Sequence, residues 1–256
     1  MQPQIGPADY FSMTSPACVK IHRSLAAAVR GLGLPAGARV LDAPCGEGEL
    51  CLALAHHGFE VSGADILPLL EPSAAQALQG RFRIADLTQP LPWPDASFDV
   101  VVCAEGIEHL ENPFAFIREA HRLCRSGGYL VVTTPNVLSL RSRVRYLGSG
   151  FFTQDPRPLN ESERHPLHHI GLRTFWEWRY ILHTSGFQLA EVSHTHMKPI
   201  GFAYAFLAPW TRLYTRLALR REKDAAQRGR NREIRQALGS RSLLFGDNIL
   251  LVARRS

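Results

Sequence analysis

Four acidic side chains follow four consecutive predicted strands, each at the point where its strand ends. They are Asp42, Asp65, Asp86 and Glu105. In an open α/β sheet the carboxyl ends of parallel strands meet at one edge, and ligands bind in the crevice there. We therefore expect these carboxylates to line one rim and to accept hydrogen bonds from a ligand rich in hydroxyl and amino groups. A single acid in such a place is equally typical of a helix cap, but four in register are not.

A glycine-containing loop separates the first of these strands from the helix that follows it. Gly46 and Gly48 allow the backbone to approach a ligand closely, and the N–H groups of the new helix favour electronegative atoms. A dinucleotide fingerprint requires a third glycine where Cys51 stands, which argues against a nicotinamide cofactor. Asp65 lies 17 residues after Gly48, a spacing that suits a carboxylate on ribose hydroxyls.

Short apolar runs rich in Val and Ile alternate with helical patterns along most of the chain. Such alternation predicts a parallel sheet covered on both faces by helices. The predicted strands are 39–43, 60–65, 81–85, 98–104, 129–134, 187–194 and 247–253. The predicted helices are 16–30 with Ser15 as its N-cap, 49–57, 69–78, 113–125 with Gly127 and Gly128 at its end, 138–147 and 174–185.

Composition and charge set the broad class of the protein. The chain has 256 residues with a formal net charge of +6, enough for one large α/β domain with an appendage. Five scattered cysteines without a C-x-x-C pair are typical of reduced thiols, and residues 1–16 lack a secretion signal, so we expect a cytoplasmic protein. The basic excess lies entirely after residue 197, where 13 Lys and Arg face 4 Asp and Glu.

Five segments of the chain carry a resemblance to a known family. The segments are 40–48, 64–66, 91–101, 108–113 and 127–136. Over residues 15–195 the chain resembles the class I S-adenosylmethionine-dependent methyltransferases, in the small-molecule and lipid branch that includes ubiquinone/menaquinone-type and sugar-cluster enzymes. The resemblance implies a Rossmann-like, seven-stranded, mostly parallel sheet with helices on both faces and the last strand antiparallel, to which this chain adds a C-terminal helical insertion. It also implies S-adenosyl-L-methionine as the cofactor.

The same resemblance assigns cofactor contacts position by position. Asp65 would accept from the ribose and Asp86 from the adenine amino group, while Glu105 would lie near the methionine end. Pro44 stands where the family usually has its first loop glycine, which predicts a rigid turn. The cofactor-binding residues expected in this way are Asp42, Pro44, Cys45, Gly46, Gly48, Asp65, Ile66, Asp86, Leu87 and Glu105.

Methyl transfer to a hydroxyl group is assisted by a base, and histidine is the usual one. His109 follows the fourth strand, and His165, His168 and His169 lie in a Gly/Pro-rich loop, 148–172, that this topology places over the pocket. His109, His168 and His169 are the candidate bases. The alternative for His109 is a structural role in the turn into the next helix. The His-x-x-His-His spacing could also hold a metal, but without a matching Cys or carboxylate pattern we predict none.

The acceptor is constrained by a motif that is missing. Enzymes that methylate base amino groups usually carry Asn/Asp-Pro-Pro-aromatic after the fourth strand, where residues 104–107 read Ala-Glu-Gly-Ile. A nucleic-acid acceptor is therefore disfavoured. We expect O-methylation of a lipid-linked, isoprenoid or sugar-containing small molecule. The alternatives are an RNA or protein methyltransferase that uses the basic C-terminal segment, and a non-catalytic protein that binds cofactor and a partner.

Three units are predicted along the chain: a methyltransferase domain over 1–197, a basic amphipathic insertion over 198–240, and a final strand within 241–256. In the insertion, Phe206, Trp210, Leu213 and Leu217 recur at helical spacing beside a row of arginines. This pattern fits an interfacial helix, so that 199–235 would contact an anionic membrane at its inner face. It equally fits a lid helix packed on the domain near the acceptor entrance, which we prefer because apolar stripes are usually buried.

Overall fold

The computed structural model describes residues 16–162, 165 and 167–256; Ser15, the expected N-cap, lies outside them. The strands of this part are β1 (Arg39–Asp42), β2 (Glu60–Asp65), β3 (Phe82–Ile84), β4 (Phe98–Ala104), β5 (Cys124–Pro135), β6 (Phe187–His194) and β7 (Asn248–Arg255). They form one seven-stranded sheet in the order β3-β2-β1-β4-β5-β7-β6. Six of these strands run in the same direction, and β7 runs antiparallel to them. The predicted fold class is confirmed.

Helices cover both faces of the sheet and build the insertion before β7. They are α1 (Pro16–Gly31), α2 (Glu49–His56), α3 (Pro72–Leu78), α4 (Pro113–Leu123), α5 (Leu140–Ser149), α6 (Phe175–Thr184), α7 (Ala208–Ala218), α8 (Ala225–Leu238) and α9 (Arg241–Phe245). Short 3₁₀ segments lie at Ile107–His109, Pro199–Leu207 and Leu219–Arg221. The first six agree with the predicted helices to within three residues at either end, whereas α9 was not predicted.

The glycine pair after α4 has a different role from the one predicted. The helix ends at Leu123, and Gly127 and Gly128 lie inside β5, where the pairing with β4 shifts by three residues between Phe98↔Cys124 and Val100↔Tyr129. Gly127 has φ +73°, and a Cβ on Gly128 would lie 2.9 Å from the backbone oxygens of Arg125 and Asp99. The glycines therefore permit a bulge in the sheet, which local sequence cannot distinguish from a helix end.

The core has two halves because successive strand residues point to opposite faces. Val40 and Val100 pack with residues of α1 and α2, whereas Leu41 and Val101 pack with residues of α4 and α6. All four are fully buried. Burial of one such side chain contributes about 1.5–3 kcal/mol. The sheet is thus a rigid platform whose strand ends hold their positions.

The insertion is a helical hairpin with an inner and an outer helix. Ile234, Ala237 and Leu238 of α8 pack against the α4/α6 half of the core, whereas Ala208 is the buried residue of α7. The outer helix leaves its apolar stripe in solvent, with Phe206 70% and Trp210 71% exposed. The preference for a stripe packed on the domain is therefore wrong. Among the described residues, no helix has the length and apolarity needed to cross a bilayer.

Candidate active site

A cavity of about 710 Å³ opens at the carboxyl ends of β1 to β4. The order of the sheet reverses between β1 and β4, and this switch point is where open α/β sheets bind ligands. Seven of the ten expected cofactor residues line the cavity: Pro44, Gly46, Asp65, Ile66, Asp86, Leu87 and Glu105. The strand ends therefore bring together residues from positions more than sixty apart in the sequence.

Asp65 connects the glycine loop to the end of β2. Its Oδ2 accepts a hydrogen bond from the backbone N–H of Gly46 at 2.8 Å, and its Oδ1 accepts from Leu67 N–H at 3.3 Å. Gly46 has φ +51°, a left-handed conformation that glycine adopts without strain. Burial raises the pKa of Asp65, while these N–H donors act in the opposite direction. The carboxylate thus shapes the loop as well as lining the cavity.

Asp86 lies at the exposed end of the cavity, beyond β3. Its Oδ1 accepts from the backbone N–H and the hydroxyl of Thr88, both at 2.8 Å, which leaves Oδ2 for a ligand. Leu87 is buried beside it, whereas Ile66 is 42% exposed at the cavity wall. These two apolar side chains and one oriented carboxylate can receive a flat ring with an amino group.

Three expected cofactor residues, Asp42, Cys45 and Gly48, are not among the cavity-lining residues. Asp42 is buried and accepts from the Cys51 thiol at 3.3 Å, and burial raises its pKa to about 7. Cys45 is also buried. Gly48 has φ +85°, and a Cβ there would lie 2.6 Å from Cβ of Ala74. These positions fit a role in shaping the loop, and the assignment of the three to direct cofactor contact stays a prediction.

Gly106 is a site residue that sequence reasoning missed. A Cβ built on it would lie 2.3 Å from Cδ and 2.6 Å from Cγ of Pro44. The pyrrolidine ring of the cofactor loop therefore occupies the space above Gly106, and both residues line the cavity. Because the two residues are 62 positions apart, no local sequence pattern predicts this contact.

Glu105 is held by two distant strands. Its backbone, at φ +46°, donates its N–H to the hydroxyl of Thr133 at 3.1 Å, and its Oε2 accepts from the side-chain amide of Asn248. Burial raises the pKa of Glu105 to about 7, while side-chain hydrogen bonds with Thr133 and Asn248 act in the opposite direction. A cationic ligand group beside a carboxyl with such a pKa favours its ionised form near neutral pH. The contribution of Asn248, from the first residue of β7, was not predicted.

Two of the three candidate bases reach the cavity, namely His109 and His168. Nδ1 of His109 lies 3.2 Å from the backbone oxygen of His168. Because a carbonyl oxygen only accepts, Nδ1 must carry the proton, and Nε2 is left as the basic nitrogen. Burial lowers the pKa of His109 to about 4. His169 stands behind, with its ring centre 4.9 Å from that of His109 and its Nδ1 3.6 Å from Asp155.

One group of side chains could supply metal ligands. Among the described residues, Glu108, His109 and His169 offer ligand atoms that all lie within 4.8 Å of one another. Glu108 is fully buried, and this burial raises its pKa well above the usual range. A metal there would have to displace a proton that burial retains. The prediction of no metal is left untested by this geometry.

The cavity is covered by α1 and by part of the loop 148–172. Cys18, Ile21 and His22 of α1 line it, which the sequence did not indicate. The described part of the loop contributes His165 and His168, which were expected over the pocket, and also Leu167 and Ile170, which were not singled out. Gly171 N–H donates to Glu108 O at 2.7 Å and fastens the loop. The described residues of the insertion, which was expected near the entrance, are absent from the lining.

The cavity lies within the size range of small-molecule and cofactor sites, and its glycine loop and carboxylates suit a nucleoside-like group. A family model described as a methyltransferase domain matches residues 18–192. The chain belongs to this family. The matched segment of the methyltransferase runs from α1 into β6 and includes every strand end at the cavity.

The chain is similar to a curated sequence and to a solved structure. A ubiquinone biosynthesis O-methyltransferase of Xanthomonas axonopodis pv. citri is 31% identical over 170 residues, which cover 64% of this chain and 69% of that protein. A SAM-dependent methyltransferase from Archaeoglobus fulgidus shares the fold, with a TM-score of 0.53 and 19% identity over 92% of this chain and 94% of that one.

A third comparison concerns a structure with ligands. The 1,6-didemethyltoxoflavin-N1-methyltransferase of Burkholderia thailandensis, solved with S-adenosylhomocysteine and 1,6-didemethyltoxoflavin, has a TM-score of 0.53 and 16% identity over 92% of this chain and 78% of that one. The protein is thus a methyltransferase that uses S-adenosylmethionine as its cofactor. The cofactor that the family resemblance implied is confirmed.

Proposed function

We propose that the enzyme methylates a hydroxyl group of a lipid-linked, isoprenoid or sugar-containing small molecule. The observation that supports this most strongly is the 31% identity to a ubiquinone biosynthesis O-methyltransferase over 170 residues. The cavity adds to it, because it has an apolar wall and a histidine pair at the loop side. We therefore propose that the acceptor lies between the cofactor and the segment that contains His165 and His168.

We propose that the strand-end carboxylates hold the cofactor. Asp65 receives the ribose hydroxyls, Asp86 receives the adenine amino group through its second oxygen, and Glu105 faces the methionine ammonium group. S-adenosylmethionine supplies an electrophilic methyl group on its sulfonium when it is bound. The protein then has to align the acceptor oxygen with that methyl group and exclude water.

Nε2 of His109 is the proposed base for the acceptor hydroxyl. It is unprotonated near neutral pH, because burial lowers the pKa of His109 to about 4. The oxygen of His168 fixes the tautomer by accepting from Nδ1 at 3.2 Å. His168 orients the base from the loop, and His169 supports the ring of His109 from behind.

The test compares His109→Gln with His57→Gln, an exposed histidine at the end of α2. We expect kcat to fall by about 10²–10⁴-fold in the first variant, since that is the usual contribution of a general base. Calorimetry should give unchanged affinity for S-adenosylhomocysteine in both. A normal kcat in His109→Gln would exclude the histidine as the base and leave only alignment to assist the reaction.

The acceptor class is tested with radiolabelled S-adenosylmethionine. The purified enzyme is incubated with a short-chain prenylated phenol, with the same phenol lacking the prenyl chain, and with the phenol blocked as its methyl ether. We expect label in the prenylated phenol above all and none in the ether. Label that instead enters RNA or protein from a cell extract would favour the alternative class and overturn this proposal.

We further propose that 199–235 contacts an anionic membrane at its inner face, which would place the cytoplasmic enzyme near lipid-linked acceptors. The apolar stripe Phe206, Trp210, Leu213, Tyr214 and Leu217 is 48–77% exposed. Exposed aromatic and aliphatic side chains beside arginines are typical of interfacial helices. A large exposed apolar patch marks an interaction site.

Vesicle flotation tests this contact with two matched tryptophan variants. Trp210→Ser removes an indole that is 71% exposed on α7, and Trp176→Ser removes one that is 46% exposed on α6. We expect the first variant to lose flotation with vesicles that contain phosphatidylglycerol, and the second to keep it. Equal flotation of both would show that the stripe does not face lipid.

A further inference from the structure

Two open grooves follow the hairpin of α7 and α8, and arginines line both. Their volumes are about 470 and 520 Å³. Arg216 and Arg235 line both grooves, so the guanidinium groups form one continuous strip. The lining contains no acidic residue. The arginines of the strip are Arg212, Arg216, Arg220, Arg228, Arg232 and Arg235.

The acidic residues of the insertion are engaged elsewhere. Glu233 pairs with Arg179 of α6, Asp224 caps α8 by accepting from Gln227 N–H at 2.6 Å, and Glu222 accepts from Asp224 N–H at 3.0 Å. Within the described residues, none of the six arginines lies within 4.0 Å of a carboxylate oxygen. All six are exposed. Six like charges held together without a counterion favour an anion from outside the chain.

An apolar edge borders the second groove. Leu213 and Leu217 line it together with the arginines, and they are 48% and 50% exposed. Trp210 and Tyr214 continue this edge along the outer face of α7. The groove therefore offers guanidinium donors on one side and hydrocarbon contacts on the other, which matches a ligand with an anionic head and an aliphatic chain.

We propose that the arginine strip between α7 and α8 is a binding site for the phosphate group of a lipid. Guanidinium forks match phosphate oxygens with paired, charge-assisted hydrogen bonds, and the leucine edge accommodates the start of the chain. The proposal goes beyond the membrane contact, since it assigns a discrete site that binds single lipid phosphates. Binding at such a site can therefore be tested with a single-chain ligand in solution, without a bilayer.

The probe is dodecyl phosphate below its micelle concentration, measured by calorimetry on the full chain and compared with inorganic phosphate. Arg216→Gln/Arg232→Gln removes two charges from the strip. Arg221→Gln/Arg230→Gln removes two from the same segment at exposed positions that line neither groove. We expect at least about tenfold weaker binding in the first double variant, because charge-assisted hydrogen bonds from two guanidinium groups to the phosphate are lost.

The two comparisons separate the possible results. Tighter binding of dodecyl phosphate than of inorganic phosphate, lost only in the strip variant, supports the site. Equal weakening in both double variants would show that net charge alone is responsible and would overturn it. Equal affinity for dodecyl phosphate and inorganic phosphate would show that the aliphatic chain makes no contact, and would overturn the assignment to a lipid. Methyl transfer to a soluble acceptor should be unchanged in both variants, which separates this test from that of the proposed function.

Discussion

Replacing Gly106 with alanine should move the cofactor loop without touching its carboxylates. The added Cβ would lie 2.3 Å from Cδ of Pro44, whereas an ordinary carbon contact is about 3.5–4.0 Å. The loop must therefore shift by about 1.2 Å or more. Gly106 has φ −117°, so alanine meets no backbone strain there. Overpacking of this kind costs about 1–3 kcal/mol.

The assay is calorimetry with S-adenosylhomocysteine, combined with thermal unfolding. Since Pro44 and Gly106 both line the cavity, we expect the loop shift to weaken cofactor affinity by about 10–100-fold, in line with 1–3 kcal/mol. Pro44→Gly removes the ring that the new methyl group would strike. In the double variant Gly106→Ala/Pro44→Gly the loss should therefore be smaller than the sum of the two single losses.

Gly148→Ala is the matched control, because a Cβ there meets no atom within 4 Å. It should leave affinity and stability close to the wild-type values. The reasoning is refuted if Gly106→Ala binds S-adenosylhomocysteine as tightly as wild type. It is also refuted if the losses in the double variant simply add, since the clash would then not be the cause.

Three further predictions follow from the site. Burial raises the pKa of Asp42 from 3.8 to about 7, so this carboxyl alone should lower the free energy of unfolding by about 3 kcal/mol as pH rises from 4 to 7. In urea unfolding, the fall with rising pH should be smaller in Asp42→Asn by this amount, and a pH profile equal to that of wild type would contradict the burial argument. Asp65→Asn, which keeps an oxygen for Gly46 N–H, should weaken binding of S-adenosylhomocysteine by at least about tenfold, because a hydrogen bond to a charged group is lost, and full affinity would remove Asp65 from the ribose contact. EDTA should leave activity unchanged, because burial raises the pKa of Glu108 and so opposes the proton loss that a metal ligand requires. Loss of activity that Mg²⁺ or Zn²⁺ restores would show that Glu108, His109 and His169 hold a metal.

The sequence predicted the sheet beneath the site better than the elements that cover it, α1 and the loop 148–172. Strands β2, β4 and β6 have the predicted bounds. β2 and β4 are buried runs between turn residues, and such runs depend on local pattern. The residues after the strand ends followed from topology alone, since parallel strands present their carboxyl ends together. Asp65, Asp86 and Glu105 reach the cavity for this reason.

The missed features all depend on contacts between distant parts of the chain. The match of Gly106 to Pro44 and the hydrogen bond from Asn248 to Glu105 exist only once the sheet is assembled. Burial, which raises the pKa of Glu105 and lowers that of His109, also depends on the assembled fold. Trp210 is exposed although it belongs to an apolar stripe. The rule that such stripes are buried holds for helices that pack on a core, and sequence alone does not show whether a helix does so.

The place of β7 has a consequence for how the enzyme is made. β7 enters the sheet between β5 and β6, and its first residue, Asn248, holds Glu105 at the far end of β4. A growing chain that has not reached Asn248 therefore has two unpaired strand edges and an unsupported carboxyl in its pocket. Such edges favour aggregation, and pairing across this separation is slow. Chaperone protection during synthesis should therefore matter until β7 has been made.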